Sequence, residues 1–278
     1  MNRAAMLFPG GRFRAFTMSY DDGVEQDVRL ISIMKKRAVK GTFNLNSGLY
    51  AAEGTVYPQG QVHRRMTREM CLKTYDPAVC EVAVHGYEHL FWNQIPDGRR
   101  TLEIIKDRQT LESDFGRIVR GAAYPYGAYD AGSVEALRGA GLVYCRTVNS
   151  THSFRLPENW LTLHPTCHHD DEKLFELGDR FLALRDPGQT ALFYLWGHSY
   201  EFEGKNNWDR IESFLDKVGG IADVWYATNI EVYDYVQAFR RLEFSADGAR
   251  VHNPSAIAVW FWDGKIAHML APGETAVL

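Results

Sequence analysis

The sequence predicts an α/β fold closed into a barrel, with a β-hairpin extension at its C-terminal end. Short β-rich runs alternate with longer helical patterns, an order that builds a parallel sheet through right-handed crossovers. Seven or eight such units fall within about 230 residues, which suits a barrel better than an open sheet. After Arg241 the rhythm changes to short alternating runs punctuated by Asp247-Gly248 and Asp263-Gly264, the pattern of two hairpins. The expected organisation is a barrel domain over residues 1–240, with residues 241–278 packed on it as the extension.

Residues 15–20 read as the first strand, and 24–37 as an amphipathic helix with Val28, Ile31 and Met34 on its apolar stripe. Strands are expected at 41–46 and 81–85, then a polar helix from about Arg99 to Val119. Further strands are expected at 122–126, 143–148, 161–164, 191–196 and 224–227. Helices are expected near 131–138, 171–184, 208–218 and 230–240. The stretch 46–67 breaks the rhythm with Gly48, Gly54, Pro58 and Gly60, and it carries Tyr50, Tyr57 and His63. Loops of this length in compact domains are often functional. In the extension, Trp260 and Trp262 read as aromatic residues on a packed strand face.

Composition excludes several classes of partner. With 278 residues, 45% hydrophobic and 24% charged, the chain can bury a sizeable core. A formal net charge of -4 with scattered lysines and arginines invites neither nucleic acid nor an anionic membrane. Residues 1–16 lack the apolar run of a signal peptide, and no segment reaches membrane-spanning length, so the default location is the cytoplasm. Cys71, Cys80, Cys145 and Cys167 show no C-x-x-C spacing and read as buried thiols.

The chemistry is concentrated where strands end. Asp21 and Asp22 close the first strand; adjacent carboxylates repel, and a metal bound by one while the other stays free as a base would explain the pair. His85 and His89 stand four apart after another strand, the spacing that turns two imidazoles to one side of a helical turn. A second copy, His164 to His168 followed by His169, has Pro165 inside it, which disfavours a regular turn. Tyr124-Pro125-Tyr126-Gly127 is a turn that could aim a backbone N–H at a developing oxyanion. Residues 192–198 form an apolar run delivering His198, in a position suited to a general acid.

Taken together and in this order, these motifs resemble the polysaccharide deacetylase (NodB-homology) domain of carbohydrate esterase family 4. The first motif, Thr-Phe-Asp-Asp-Gly in that family, is here Ser19-Tyr20-Asp21-Asp22-Gly23. The second matches His85 to His89, with Gly86 in place of a hydroxyl residue. The third matches Pro125-Tyr126-Gly127, and the last corresponds to Leu195 to His198 with one residue of offset. The resemblance spans roughly residues 16–226 and implies a distorted, incomplete barrel of the (β/α)7 type.

It also implies roles. Asp22, His85 and His89 would bind a divalent metal, Zn2+ foremost, with Co2+ or another divalent ion as alternatives. Asp21 would take a proton from the attacking water, the Tyr126 N–H would help hold the oxyanion, and His198 would protonate the leaving group. The expected activity is removal of N- or O-acetyl groups from an acetylated carbohydrate. The alternatives are a metallo-amidohydrolase acting on a non-sugar amide or cyclic imide, and a carbohydrate-binding relative with impaired chemistry.

Two departures bear on this reading. The arginine that opens the family's third motif, and pairs with the base, is Ala123 here. Arg146, on the following strand, is the candidate to replace it over Asp21. The Asp-Trp of the fourth motif is absent, and Asn149, in the corresponding stretch, carries no charge. The run from His164 to His169 could line the groove or assist His198.

Overall fold

The alternation of side chains along each strand decides what fills the barrel and what faces the helices. The computed structural model describes residues 4–278. Its central sheet contains β2 (Arg14–Asp21), β3 (Gly41–Leu45), β4 (Cys80–Val84), β5 (Gly121–Ala123), β6 (Tyr144–Arg146), β7 (Cys167–His168), β8 (Ala191–Gly197) and β9 (Val224–Tyr226). All pair in parallel, in the order β6-β5-β4-β3-β2-β8-β7, with β9 on the first half of β2. The sheet curls into a half-barrel rather than a closed one. Among the described residues the outer strands β6 and β7 do not pair with each other, and on its open side β6 makes only an isolated bridge, from Arg146 to Leu163.

Every residue of β2, β3, β4 and β8 is buried, as expected of parallel strands covered on both faces. On β2, Phe16, Met18 and Tyr20 join the large apolar cluster beneath the helices, whereas Thr17, Ser19 and Asp21 belong to polar networks inside the barrel. Phe43 against Thr42 and Asn44, and Val82 against Glu81, repeat that division. The helices are α1 (Asp27–Lys36), α2 (Arg68–Thr74), α3 (Asp97–Phe115), α4 (Ala131–Gly139), α5 (Leu174–Ala183), α6 (Ser199–Gly204), α7 (Trp208–Val218) and α8 (Asn229–Arg240). Thr228 and Glu231 form a reciprocal capping box that starts α8. A second apolar cluster, with Phe8, Ala15, Tyr144, Trp160, Tyr194 and Tyr235 among its members, plugs the end of the barrel remote from the site.

The chain beyond α8 forms both expected hairpins. One joins β10 (Glu243–Phe244) to β11 (Arg250–His252), and β14 (Thr275–Val277) pairs with β11. The other joins β12 (Val259–Trp262) to β13 (Ala267–Leu270), and β12 also pairs with β1 (Ala5–Leu7) near the N-terminus. In β12 only Val259 and Phe261 are fully buried, and Trp260 and Trp262 are half-buried.

Several expected elements change. The stretch 161–164 is no strand: Trp160–Thr162 form a 3-10 turn and Leu163 alone bridges to β6. The strand at this place is the two-residue β7, next to β8. The first helix begins at Asp27 because Val24 is held in an antiparallel bridge to Arg65. Helix α2, directly after the long 46–67 stretch, and α6, directly after His198, are too short for a periodic apolar signal.

Inside the barrel, Glu81 accepts hydrogen bonds from Thr42 (2.8 Å), Tyr144 (2.7 Å) and the Ile230 amide (2.9 Å). Burial raises its carboxyl pKa to about 7 despite those donors. The folded state therefore holds a proton that the unfolded chain has released, and stability falls as pH rises from the ordinary glutamate range through about 7. Glu81→Gln is expected to stabilise the fold at pH 8 by roughly 2 kcal/mol and to change little at pH 4. Urea denaturation at the two pH values measures this, and an equal effect at both would disprove it.

Candidate metal centre

Six of the seven predicted site residues meet because they end or follow neighbouring strands on one face of the barrel. Asp21 is the last residue of β2 and Asp22 follows it, His85 follows β4, and Tyr126 lies in the turn after β5. Arg146 ends β6, and His198 follows β8. This is the C-terminal face of the parallel strands, where barrel enzymes carry their chemistry.

Asp22, His85 and His89 each offer one atom within 4.8 Å of the others. His85 Nδ1 donates to the Ala123 carbonyl at 2.9 Å, leaving Nε2 with its lone pair directed into the site. That Nε2 lies 3.1 Å from His89 Nε2, and His89 Nε2 lies 3.7 Å from Asp22 Oδ1. Two imidazole nitrogens this close need a proton or a cation between them. Burial holds both histidines below the ordinary imidazole range, His89 at about 3, so a cation suits the pair better. The donor set, one carboxylate and two imidazoles, fits a zinc-type ion.

The backbone is forced into this geometry. Asp22 (φ 83°), His89 (φ 54°) and Tyr126 (φ 58°) lie in the left-handed region that side chains other than glycine rarely adopt. Arg65 clamps Asp22 by bonding its carbonyl at 2.6 Å and its Oδ1 at 3.2 Å, and His63 meets Oδ2 at 3.2 Å. Burial opposes charge on Asp22, but His63, His85 and Arg65 hold its carboxyl well below the usual range. Gly86, which stands where the motif it resembles has a hydroxyl residue, has φ 81°, and a Cβ there would come within 3.0 Å of Trp92 Nε1. Asp107 on α3 accepts from the His85 amide at 3.0 Å and from the Ser47 amide and hydroxyl at 2.8 and 2.6 Å, fixing the end of β4.

Asp21 sits apart from the ligand set. Its Oδ1 accepts from Asn44 at 2.7 Å and its Oδ2 from the Arg146 guanidinium. Ala123 and Arg146 are register partners on β5 and β6, so the arginine stands one strand over from its expected place and points the same way. Its guanidinium also lies 4.4 Å from the Trp196 ring centroid. Burial works against the charge on Asp21, but Arg146, then His85 and His198, keep its pKa lowered.

On the other side, His198 Nε2 is 3.8 Å from Asp21 Oδ2, and its Nδ1 bonds Glu201 Oε1 at 2.8 Å. Burial disfavours the imidazolium, yet Glu201, Asp21 and Asp22 together raise the pKa of His198. Sequence reasoning missed Glu201, which supplies the carboxylate that the absent fourth motif would have brought. The available signal was its position three residues beyond His198, within one helical turn. Arg65 and Asp107 were also missed; neither lies in a recognisable motif. Among the described residues no protein oxygen accepts from the Tyr126 N–H, whereas the Gly127 and Ala128 amides bond within the turn. His164 is exposed and bonds Thr147 Oγ1 at 2.6 Å, apart from His168 and His169.

Residues 11–145 match the family model described as polysaccharide deacetylase. Over those residues, just under half of its length, the chain is similar to that family. Solved structures share the fold of this chain over more of its length. A Mycobacterium smegmatis protein assigned as a polysaccharide deacetylase is 19% identical, with a TM-score of 0.60 over 86% of this chain and 96% of that one. A family 4 carbohydrate esterase from Streptomyces lividans, solved with acetate, is 14% identical, with a TM-score of 0.51 over 78% of this chain and 93% of that one. The Streptococcus pyogenes deacetylase PplD, also solved with acetate, is 18% identical with a TM-score of 0.45; the match covers 52% of this chain and 61% of that one. No curated protein matches the chain.

Removing the Arg146 guanidinium would strand the buried Asp21 carboxylate. Arg146→Met is expected to cost about 3–5 kcal/mol of stability. Asp21→Asn combined with Arg146→Met should recover most of it, because no orphaned charge is left. A urea denaturation cycle over the four variants tests the coupling; additive effects would show that the pair is not energetically linked.

Proposed function

We propose that the protein is a metal-dependent hydrolase that removes acetyl groups from an N- or O-acetylated carbohydrate. The observation that carries this reading is the convergence of Asp22, His85 and His89 beside a separate, arginine-paired carboxylate and a carboxylate-paired histidine. A divalent ion held by the three ligands would lower the pKa of a water molecule and polarise the acetyl carbonyl.

The chain's own residues divide the rest of the work. Asp21, kept ionised by Arg146, accepts the proton of the attacking water. The Tyr126 N–H donates to the carbonyl oxygen as it gains charge. His198, protonated and oriented by Glu201, gives its proton to the leaving nitrogen or oxygen as the acyl bond breaks, so that acetate and a free amine or hydroxyl result. The exposed Tyr126 ring stacks on Phe91 at 3.8 Å and 8°, presenting an aromatic face beside the ligands against which a sugar ring could pack.

Acetate release from acetylated chito-oligosaccharides and acetylated xylan, before and after chelation and re-addition of Zn2+ or Co2+, tests the reading. Activity should vanish with the metal and return with it. Metal-loaded protein that releases no acetate from either substrate would count against it. His198→Ala is expected to lower kcat roughly 10²–10⁴-fold. Because the pKa of His198 is raised, its acid form persists to higher pH, and activity is lost as pH rises through that value. Glu201→Gln removes part of the upward pull, so the alkaline limb of the kcat profile should move to lower pH. An unmoved limb would show that Glu201 does not tune the acid.

A further inference from the structure

The geometry points to a second cation site, formed by His169 Nε2, Glu201 Oε2 and Asp170 Oδ2, that takes a divalent ion of the zinc type. These atoms belong to a group of potential ligands lying within 4.8 Å of one another, separate from Asp22, His85 and His89. His169 Nε2 stands 3.1 Å from Glu201 Oε2 and 3.6 Å from Asp170 Oδ2. Donors bonded at about 2.0–2.2 Å to one ion are spaced in this way.

Burial supplies the independent reason. The His169 side chain is 0% exposed, yet neither of its ring nitrogens has an aligned hydrogen-bond partner, and Glu201 Oε2 also lacks one. Orphaned buried polar atoms are rare and call for an occupant. The imidazole is held in place: it stacks on Tyr20 at 14° and lies 4.1 Å from the Phe202 ring centroid. Gly197 leaves room for it, since a Cβ there would fall 2.0 Å from His169 Nδ1.

His168 lies beside the site rather than among its ligands. Its Nδ1 accepts the Asp170 amide at 3.1 Å, so the ring proton is on Nε2, which lies 3.4 Å from Glu201 Oε2 without an aligned hydrogen bond. Lys205 bonds Asp170 and stands 3.8 Å from Glu201 Oε2, while Arg210 is 3.9 Å from Asp170 Oδ1. The exposed ammonium of Lys205 therefore competes with the ion for the same oxygens. The other oxygen of Glu201 holds His198 Nδ1, so the site is joined to the acid histidine through one carboxylate.

Metal stoichiometry by elemental analysis and Zn2+ calorimetry on the full chain tests this. Wild type should bind two equivalents, and His89→Ala, which breaks the first centre, should keep one. His169→Ala should also keep one; because that imidazole is buried, Asp170→Asn serves as a second variant, with circular dichroism confirming the fold of each. His168→Ala should keep both, and Lys205→Ala should tighten the second equivalent about tenfold or more. A single equivalent in wild type that His89→Ala abolishes, or two in folded His169→Ala and Asp170→Asn, would overturn the assignment. A single wild-type equivalent that survives His89→Ala and is lost in folded His169→Ala would count against the deacetylase reading and leave this one standing.

Discussion

The contact between Arg146 and Asp21 is the constraint around which the site is arranged. A carboxylate at the mouth of a barrel, 2% exposed, ionises only if a cation meets it without intervening water. The arginine does so from β6, and its own burial is made tolerable by the Trp196 face and by Asp21 itself. With Asp21 so committed, Asp22 is left to face the histidines. Two adjacent carboxylates thus have opposite surroundings, one guanidinium-bound beneath the site and the other clamped at its rim by Arg65 and His63.

Much of the barrel was legible because alternation and helical periodicity persist over long segments. The first, second and longest apolar strands fall where expected, and α7 spans the expected residues. The failures have physical causes. The segment 161–164 is apolar enough for a strand, but Asn159 caps a 3-10 turn there by accepting from the Leu161 amide. Elements of one or two turns, such as α6, carry too few residues for any period to register.

Legibility of the site follows a similar line. Ligand types and their order along the chain could be read, since metal chemistry restricts both. The guanidinium over Asp21 could be foreseen because register partners on adjacent parallel strands project to one side, so a side chain missing at Ala123 has a natural substitute at Arg146. Glu201 could not be foreseen in the same way. An acid early in a helix ordinarily reads as a partner for the helix dipole, and only the turn after β8 brings it onto His198.

The pairing of β1 with β12 has a consequence for how the chain reaches this structure. Ala5 lies opposite Trp262, so this small sheet joins residues far apart along the sequence. During synthesis the first strand emerges long before its partner exists, leaving the apolar Met6, Leu7 and Phe8 without their final cover. The half-barrel can form its parallel pairs in the meantime, but the N-terminal segment must wait. Assembly of that sheet is therefore a late event that follows synthesis of β12.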